Sequence, residues 1–215
     1  MKSKKLKIST GWWQIGFNIY WPKNQEIPDM HIDLCIAHMV LLPLIKEHEI
    51  SWQAYRFHRR AENDSTGHLF SFLFYTDSIM AKVFFDKIKS NEIIGSMISS
   101  GKIVELTINN SDKNKYPNLE DISDLTWPDS IRKSWPSYIM GVSKTWISLI
   151  DEIIFEHSEW PMPSRWVEAD SFYKKVESEI TKIWQDKGRH IYLHHLNAIF
   201  GYKSLVIYEK KFMNF

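Results

Sequence analysis

Apolar residues alternate with polar or small ones along WWQIGFNIYW, residues 12–21. Trp13, Ile15, Phe17, Ile19 and Trp21 fall on one side, and Trp12, Gln14, Gly16, Asn18 and Tyr20 on the other. A period of two predicts a strand with one apolar and one mixed face. Pro22 and the polar KNQE end it. Between Asp29 and about His48 the period lengthens. Ile32, Ile36, Met39, Val40 and Leu44 recur at helical spacing, predicting a helix capped by Asp29 and kinked at Pro43. Alternation returns at Ser51–Arg60 and, after a polar loop, at His68–Tyr75. Thr76 or Asp77 is placed to cap a second helix, SIMAKVFFDKIKSNEIIGSMIS, with Gly95 as its candidate break. KIVELTIN, residues 102–109, alternates again as a fourth strand.

The order βαββαβ predicts an α+β fold, a ferredoxin-like sheet half over residues 1–110 with both helices on one face. Residues 111–136 are polar and proline-containing and read as a loop or linker. Residues 137–215 read as a helical C-terminal half. Its helices are expected at Ser137–His157, at Glu168–Asp186 with Gly188 as its stop, and across RHIYLHHLNAIFGY to Gly201. SLVIYEKKF, residues 204–212, reads as a short strand or an extended tail. This helical half is expected to roof the sheet face left open by the first two helices, giving one compact unit.

Charge narrows the classes of partner. With 27 basic and 26 acidic residues, the chain lacks the basic excess of a general nucleic-acid binder. Ten Trp, nine Tyr and twelve Phe predict a large aromatic core, some of which can line a cleft. Cys35 is the only cysteine, so no internal disulfide is expected. The apolar run Leu34–Ile45 is too short to span a bilayer and contains Pro43. The basic N-terminal stretch has no apolar signal-peptide region, so a cytoplasmic protein without a membrane role is expected. Neither a Gly-rich phosphate loop, a nucleophile elbow nor paired C-x-x-C motifs occur, and no cofactor is expected.

Candidate chemistry concentrates in two places. In YRFHRRAENDSTGHLFSFLFY, Tyr55 and Phe57 suit the helix-covered face, so Arg56, His58 and Arg60 project from the opposite side. Gln14 and Asn18 of the first strand, and Glu105 and Thr107 of the fourth, fall on that side too. Cations and amides in such a cleft suit a carboxylate or another anion. Arg59 and Arg60, next to the loop, have the solvated rim as their ordinary place. On the last helix His190, His194 and Asn197 align at i, i+4 and i+7, with His195 a quarter-turn away. Surface, acid–base and metal roles all fit such histidines, although no third metal ligand accompanies them. His31, Cys35 and His38 also have a ligand-like look, but their apolar stripe predicts core packing.

These stretches together resemble the thiopeptide-type bacteriocin biosynthesis family, which includes the C-terminal elimination domain of lantibiotic dehydratases. The resemblance rests on WWQIGFNIYW, LLPLIKEH, WQAYRFHRR and GHLFSFLFY, then HLNAIFG at 195–201, covering roughly residues 11–75 and 188–202. It implies a lyase that eliminates glutamate from glutamylated Ser or Thr of a precursor peptide, leaving a dehydroamino acid, or a related cyclase. Arg56 matches the family's strand arginine. Together with the residue reading, this gives His194 or His195 as general acid or base and Arg56, His58, Arg60, Asn18 and Asn197 as substrate-binding residues, with no metal. The implied partners are a precursor peptide and a glutamylating or dehydratase-like protein. Two features differ from the family. The third strand reads LFSFLF without arginines, and Leu193 and Ala198 stand where the family has His and Arg. These differences admit a non-catalytic precursor-peptide-binding partner as the alternative, and a small-molecule enzyme as a third class.

Overall fold

A computed structural model of the chain describes residues 9–48, 52–108 and 116–202. The fold is α+β, built on a four-stranded antiparallel sheet of order β2-β3-β1-β4. The strands are β1 (Thr10–Ile19), β2 (Ala54–Ala61), β3 (His68–Asp77) and β4 (Ile103–Ile108). The predicted tail at residues 204–212 lies outside the described residues.

Between β1 and β2 the chain is helical in three parts: α1 (His31–Cys35), a π-helical turn (Ile36–Leu41) and α2 (Leu42–Glu47). The widened turn comes immediately before Pro43, where a missing N–H and the ring would interrupt an α-helical ladder. Asp29 is not the cap expected from the sequence. Its carboxylate takes Gln25 Nε2 (3.1 Å) and Lys102 Nζ (3.3 Å) instead. After β3, Asp77 Oδ1 accepts from Ile79 N (2.8 Å) and Met80 N (2.9 Å), starting α3 (Ser78–Lys89). The helical break falls at Asn91, whose side chain caps α4 (Glu92–Ser99) in the same way, and Gly95 lies within α4.

The register fixes the two sheet faces. Trp13, Ile15, Phe17 and Ile19 pair with Phe74, Phe72, Phe70 and His68, and Tyr55 and Phe57 pair with Phe74 and Phe72. Phe17, Phe70, Phe72 and Phe74 are fully buried, and Phe74 meets Phe84 of α3 with ring centroids 5.1 Å apart. Burying each such ring is worth roughly 1.5–3 kcal/mol, so this face is the main core.

Three more helices follow: α5 (Asp129–Glu156), α6 (Trp166–Ile183) and α7 (Arg189–Ile199). Helix α5 starts well before the expected Ser137 and runs through Pro136. It reaches the opposite sheet face with Met140, which packs against Trp12, Ala54 and Tyr75, rather than roofing that face as a layer. It lies along the outer side of β2, where Ser143 Oγ accepts from Phe57 N (3.1 Å) and Trp146 packs on Phe57 (5.2 Å) and Phe70 (6.1 Å). Helix α6 packs on α1 and the π-turn through Asp170–His31 (3.0 Å) and Tyr173–His38 (2.6 Å). The chain divides into Met1–Glu177 and Ser178–Phe215, so the division falls inside α6 rather than at the expected linker, residues 111–136. These side-chain bonds tie α5 and most of α6 to the sheet half.

Candidate functional site

The face opposite the core forms rows set by strand pairing. Ala54, Tyr75 and Trp12 make the first row, and Arg56, Leu73 and Gln14 the second. His58, Ser71, Gly16 and Thr107 follow, then Arg60, Leu69, Asn18 and Glu105. The first row is well covered, and Ser71 and Gly16 of the third row are buried as well. A 3-10 turn, Leu119–Ile122, packs on the first row with Met140 against Trp12, Ala54 and Tyr75. Trp12 N donates to Tyr116 O (3.0 Å), Trp12 Nε1 to Leu119 O (2.9 Å) and Tyr75 OH to Pro117 O (2.6 Å). Burial, then the Asp121 and Glu120 carboxylates, hold the Tyr75 hydroxyl above its ordinary pKa, so it stays a donor.

Between this turn and the second row lies a cavity of about 170 Å³, lined by Trp12, Trp13, Gln14, Arg56, Leu73, Tyr116, Asp121 and Ile122. Typical ligand pockets measure roughly 300–1,000 Å³, so this one fits a single side chain or one small acid. Arg56 is half-buried, and its Nε is buried with no hydrogen-bond partner among the described residues. Burial without a counter-ion holds its pKa below the ordinary arginine value. A guanidinium cannot shed its charge near neutral pH, so an unpaired one in a cleft gains from an arriving anion. Gln14 Nε2 donates to Ser71 Oγ (3.3 Å) beside it. Asp121 is engaged by the backbone, accepting from Asn118 N (2.8 Å).

The other expected binding residues are placed differently. His58 shares the face and is exposed, but does not line the cavity. Asn18 lies two rows from Arg56, also outside the lining. Arg60 is not available as expected. Its guanidinium pairs with Asp64 and Glu62 (3.2 Å) and bonds Gly67 O (3.3 Å), closing the β2–β3 loop. Arg59 also departs from the rim expected for it. It points into the core face, with Nε 2.8 Å from Asp33 Oδ2, a terminal nitrogen 2.9 Å from Met30 O and its carbon 5.1 Å from the Trp146 ring. Burial would lower its pKa, but Asp33 and Glu177 more than reverse that. His68 Nε2 lies 2.9 Å from Asp33 Oδ1, within ion-pair range but out of line for a hydrogen bond.

His194, His195 and Asn197 belong to the second compact unit, Ser178–Phe215. In α7 the rings of His190 and His194 stack with centroids 5.2 Å apart, His195 lies 5.5 Å from His194, and Tyr202 lies 5.4 Å from it. His194 and His195 are exposed, and Asn197 is half-buried without a side-chain hydrogen bond among the described residues. The aligned faces expected from helical spacing are therefore present, and the imidazoles are open to solvent.

Sequence reasoning missed a relay in the first unit. His38 Nδ1 sits 2.6 Å from Tyr173 OH, and its Nε2 lies 3.0 Å from Asp151 Oδ1, while Asp151 Oδ2 pairs with Lys46. Burial keeps His38 below its ordinary pKa, with Asp151 opposing that shift. A neutral ring accepts the Tyr173 proton at Nδ1 and donates from Nε2. Tyr173 is fully buried, so the relay joins α6, the π-turn and α5 rather than facing substrate. His31, Cys35 and His38 turn to different partners, and among the described residues no three His, Cys, Asp or Glu side chains converge as metal ligands. A second hollow, of about 320 Å³, lies at Trp160–Pro163, but His157 stacks on Trp160 (4.1 Å) and Lys175 stands over the same ring. Among the described residues no helix is long and apolar enough to cross a membrane. Comparison with family models, curated proteins and solved structures finds no match.

Proposed function

We propose that this protein is a cytoplasmic peptide-modifying enzyme of ribosomal peptide natural product biosynthesis, a lyase that eliminates glutamate from a glutamylated Ser or Thr. The observation that carries this reading is the unpartnered, half-buried guanidinium of Arg56 in a cavity sized for one side chain. The proposed reaction needs a group to hold a carboxylate of the glutamyl moiety, for which Arg56 is the candidate, and a base to remove the α-proton, for which His194 and His195 are the candidates. The electron pair left at the α-carbon forms the C=C bond, and the ester oxygen departs with glutamate. The strand order β2-β3-β1-β4 supports reading the sheet half as ferredoxin-like. A separate glutamylating protein supplies the substrate.

The second reading, a non-catalytic precursor-binding partner, is favoured by one observation. On the Arg56 face β3 carries Leu69, Ser71 and Leu73, with no cation among them. The deciding experiment incubates a glutamylated precursor with the protein and follows loss of glutamate by mass. Wild type is expected to release glutamate, and His194→Ala or His195→Ala to slow release about a hundredfold or more. Binding of the precursor without any release establishes the partner reading instead.

A further inference from the structure

Two basic side chains lie side by side on the sheet face opposite the core, without partners among the described residues. Arg56 and His58 lie two residues apart on β2 and point the same way, their Cα atoms about 7 Å apart at strand rise. Neither has a hydrogen bond or ion pair among the described residues, while Arg60, the next on the row, is fully engaged with Asp64 and Glu62. The floor between them is Leu73 and Ser71, with Gln14 Nε2 bonded to Ser71 Oγ. This sets a forked donor, which lines the cavity, beside a switchable donor on the same face.

We propose that Arg56 and His58 together form a proton-coupled oxyanion site, which takes a carboxylate side chain of an extended peptide and protonates His58 as it binds. The inference rests on the reading of Arg56 as the anion-holding group and adds the partner residue and the coupling. Charged groups facing this part of the sheet are Arg56 and Arg60 on β2, Glu105 on β4, and Asp121 and Glu120 on the 3-10 turn. Desolvation, then repulsion from Arg56 and Arg60, holds free His58 below its ordinary pKa. An anion seated between Arg56 and His58 replaces that repulsion with attraction, so anion and proton each favour the other. The sign follows: affinity rises as pH falls through the interval between the free and occupied pKa values, with up to tenfold for each unit separating them. Asp121, in the same cavity, repels a phosphate dianion more than a carboxylate.

The test measures binding of a terminally blocked tripeptide with central glutamate to the full-length protein by calorimetry, from pH 5.5 to 8, in two buffers of different ionisation enthalpy. The expected result is binding with net proton uptake, tighter at low pH, and none by the glutamine analogue. Arg56→Gln should weaken binding about tenfold or more, while His58→Gln, an exposed change, should abolish the proton uptake and flatten the pH profile. Equal binding of the glutamine peptide, an unchanged Arg56→Gln affinity, or proton uptake that survives in His58→Gln each overturns the proposal. A phosphoserine peptide that binds more tightly than the glutamate peptide overturns the carboxylate assignment. No glutamate release enters any of these measurements, so failure of the lyase reading leaves this outcome separately readable.

Discussion

Single residues in this protein owe their roles to what each finds on its own side of the sheet. Arg56 and Arg59 are three positions apart, yet one faces an open cavity and the other a buried carboxylate. Alternation made the Arg56 side legible, because a strand's period of two fixes which residues share a face. The Arg59 ion pair was not legible. Asp33 sits on a helix, and no local rule ties the two positions. His38 shows the same non-local origin and carries a prediction. A histidine buried neutral has a folded pKa below its unfolded value of about 6.5. Its contribution to stability is therefore present above that value and lost as pH falls toward the folded pKa. Asp151 and Asp170, held below the ordinary carboxylate range despite burial by Lys46 and His38 and by Lys174 and His31, add losses at lower pH in the same direction. Urea midpoints are expected to fall between pH 7.5 and 5.5. His38→Gln should be less stable at pH 7.5 and show a flatter slope over that interval; an unchanged slope would remove His38 as its source.

At the level of elements, the period of the hydrophobic pattern located all four strands and the first helices, but the contacts of α5 and the 3-10 turn could not be read from it. The polar stretch 111–136 reads as linker because its apolar residues follow neither period. Leu119 and Ile122 nevertheless cover Trp12 and Tyr75, and Tyr116 and Asp121 wall the cavity. A short turn reveals its function only through distant partners. Helix α5 likewise looked like a roof because amphipathicity tells that a face is buried, not against what. Its Ser143 hydroxyl instead receives Phe57 N on the outside of β2. Ser143→Ala removes that acceptor and strands a buried donor, which should cost about 1–3 kcal/mol. A shift in the chemical-denaturation midpoint reports the loss, and an unshifted midpoint would mean another acceptor takes over.

The whole molecule is graded in stability by where its apolar area is buried. Strands β1 and β3 are interior in the sheet and carry the phenylalanine core, whereas α7 buries none of its residues. Amide hydrogen exchange is expected to be slowest in β1 and β3 and faster by orders of magnitude in α7, since local opening free energies run from near zero to the global value. Equal protection of α7 and β3 would contradict this gradient.

The strand order also works as a ruler. With β2 and β4 as outer strands and the rim of β2 taken by α5, a guest strand added to the described sheet has β4 as its place. From a guest strand beside β4 to β2 is four inter-strand spacings, about 19 Å. An extended chain covers that distance in about five to six residues. A peptide pinned at the β4 rim thus delivers to Arg56 only a side chain about five or more residues away from the pinned segment, so the sheet's width would select by distance along the peptide before any chemistry began.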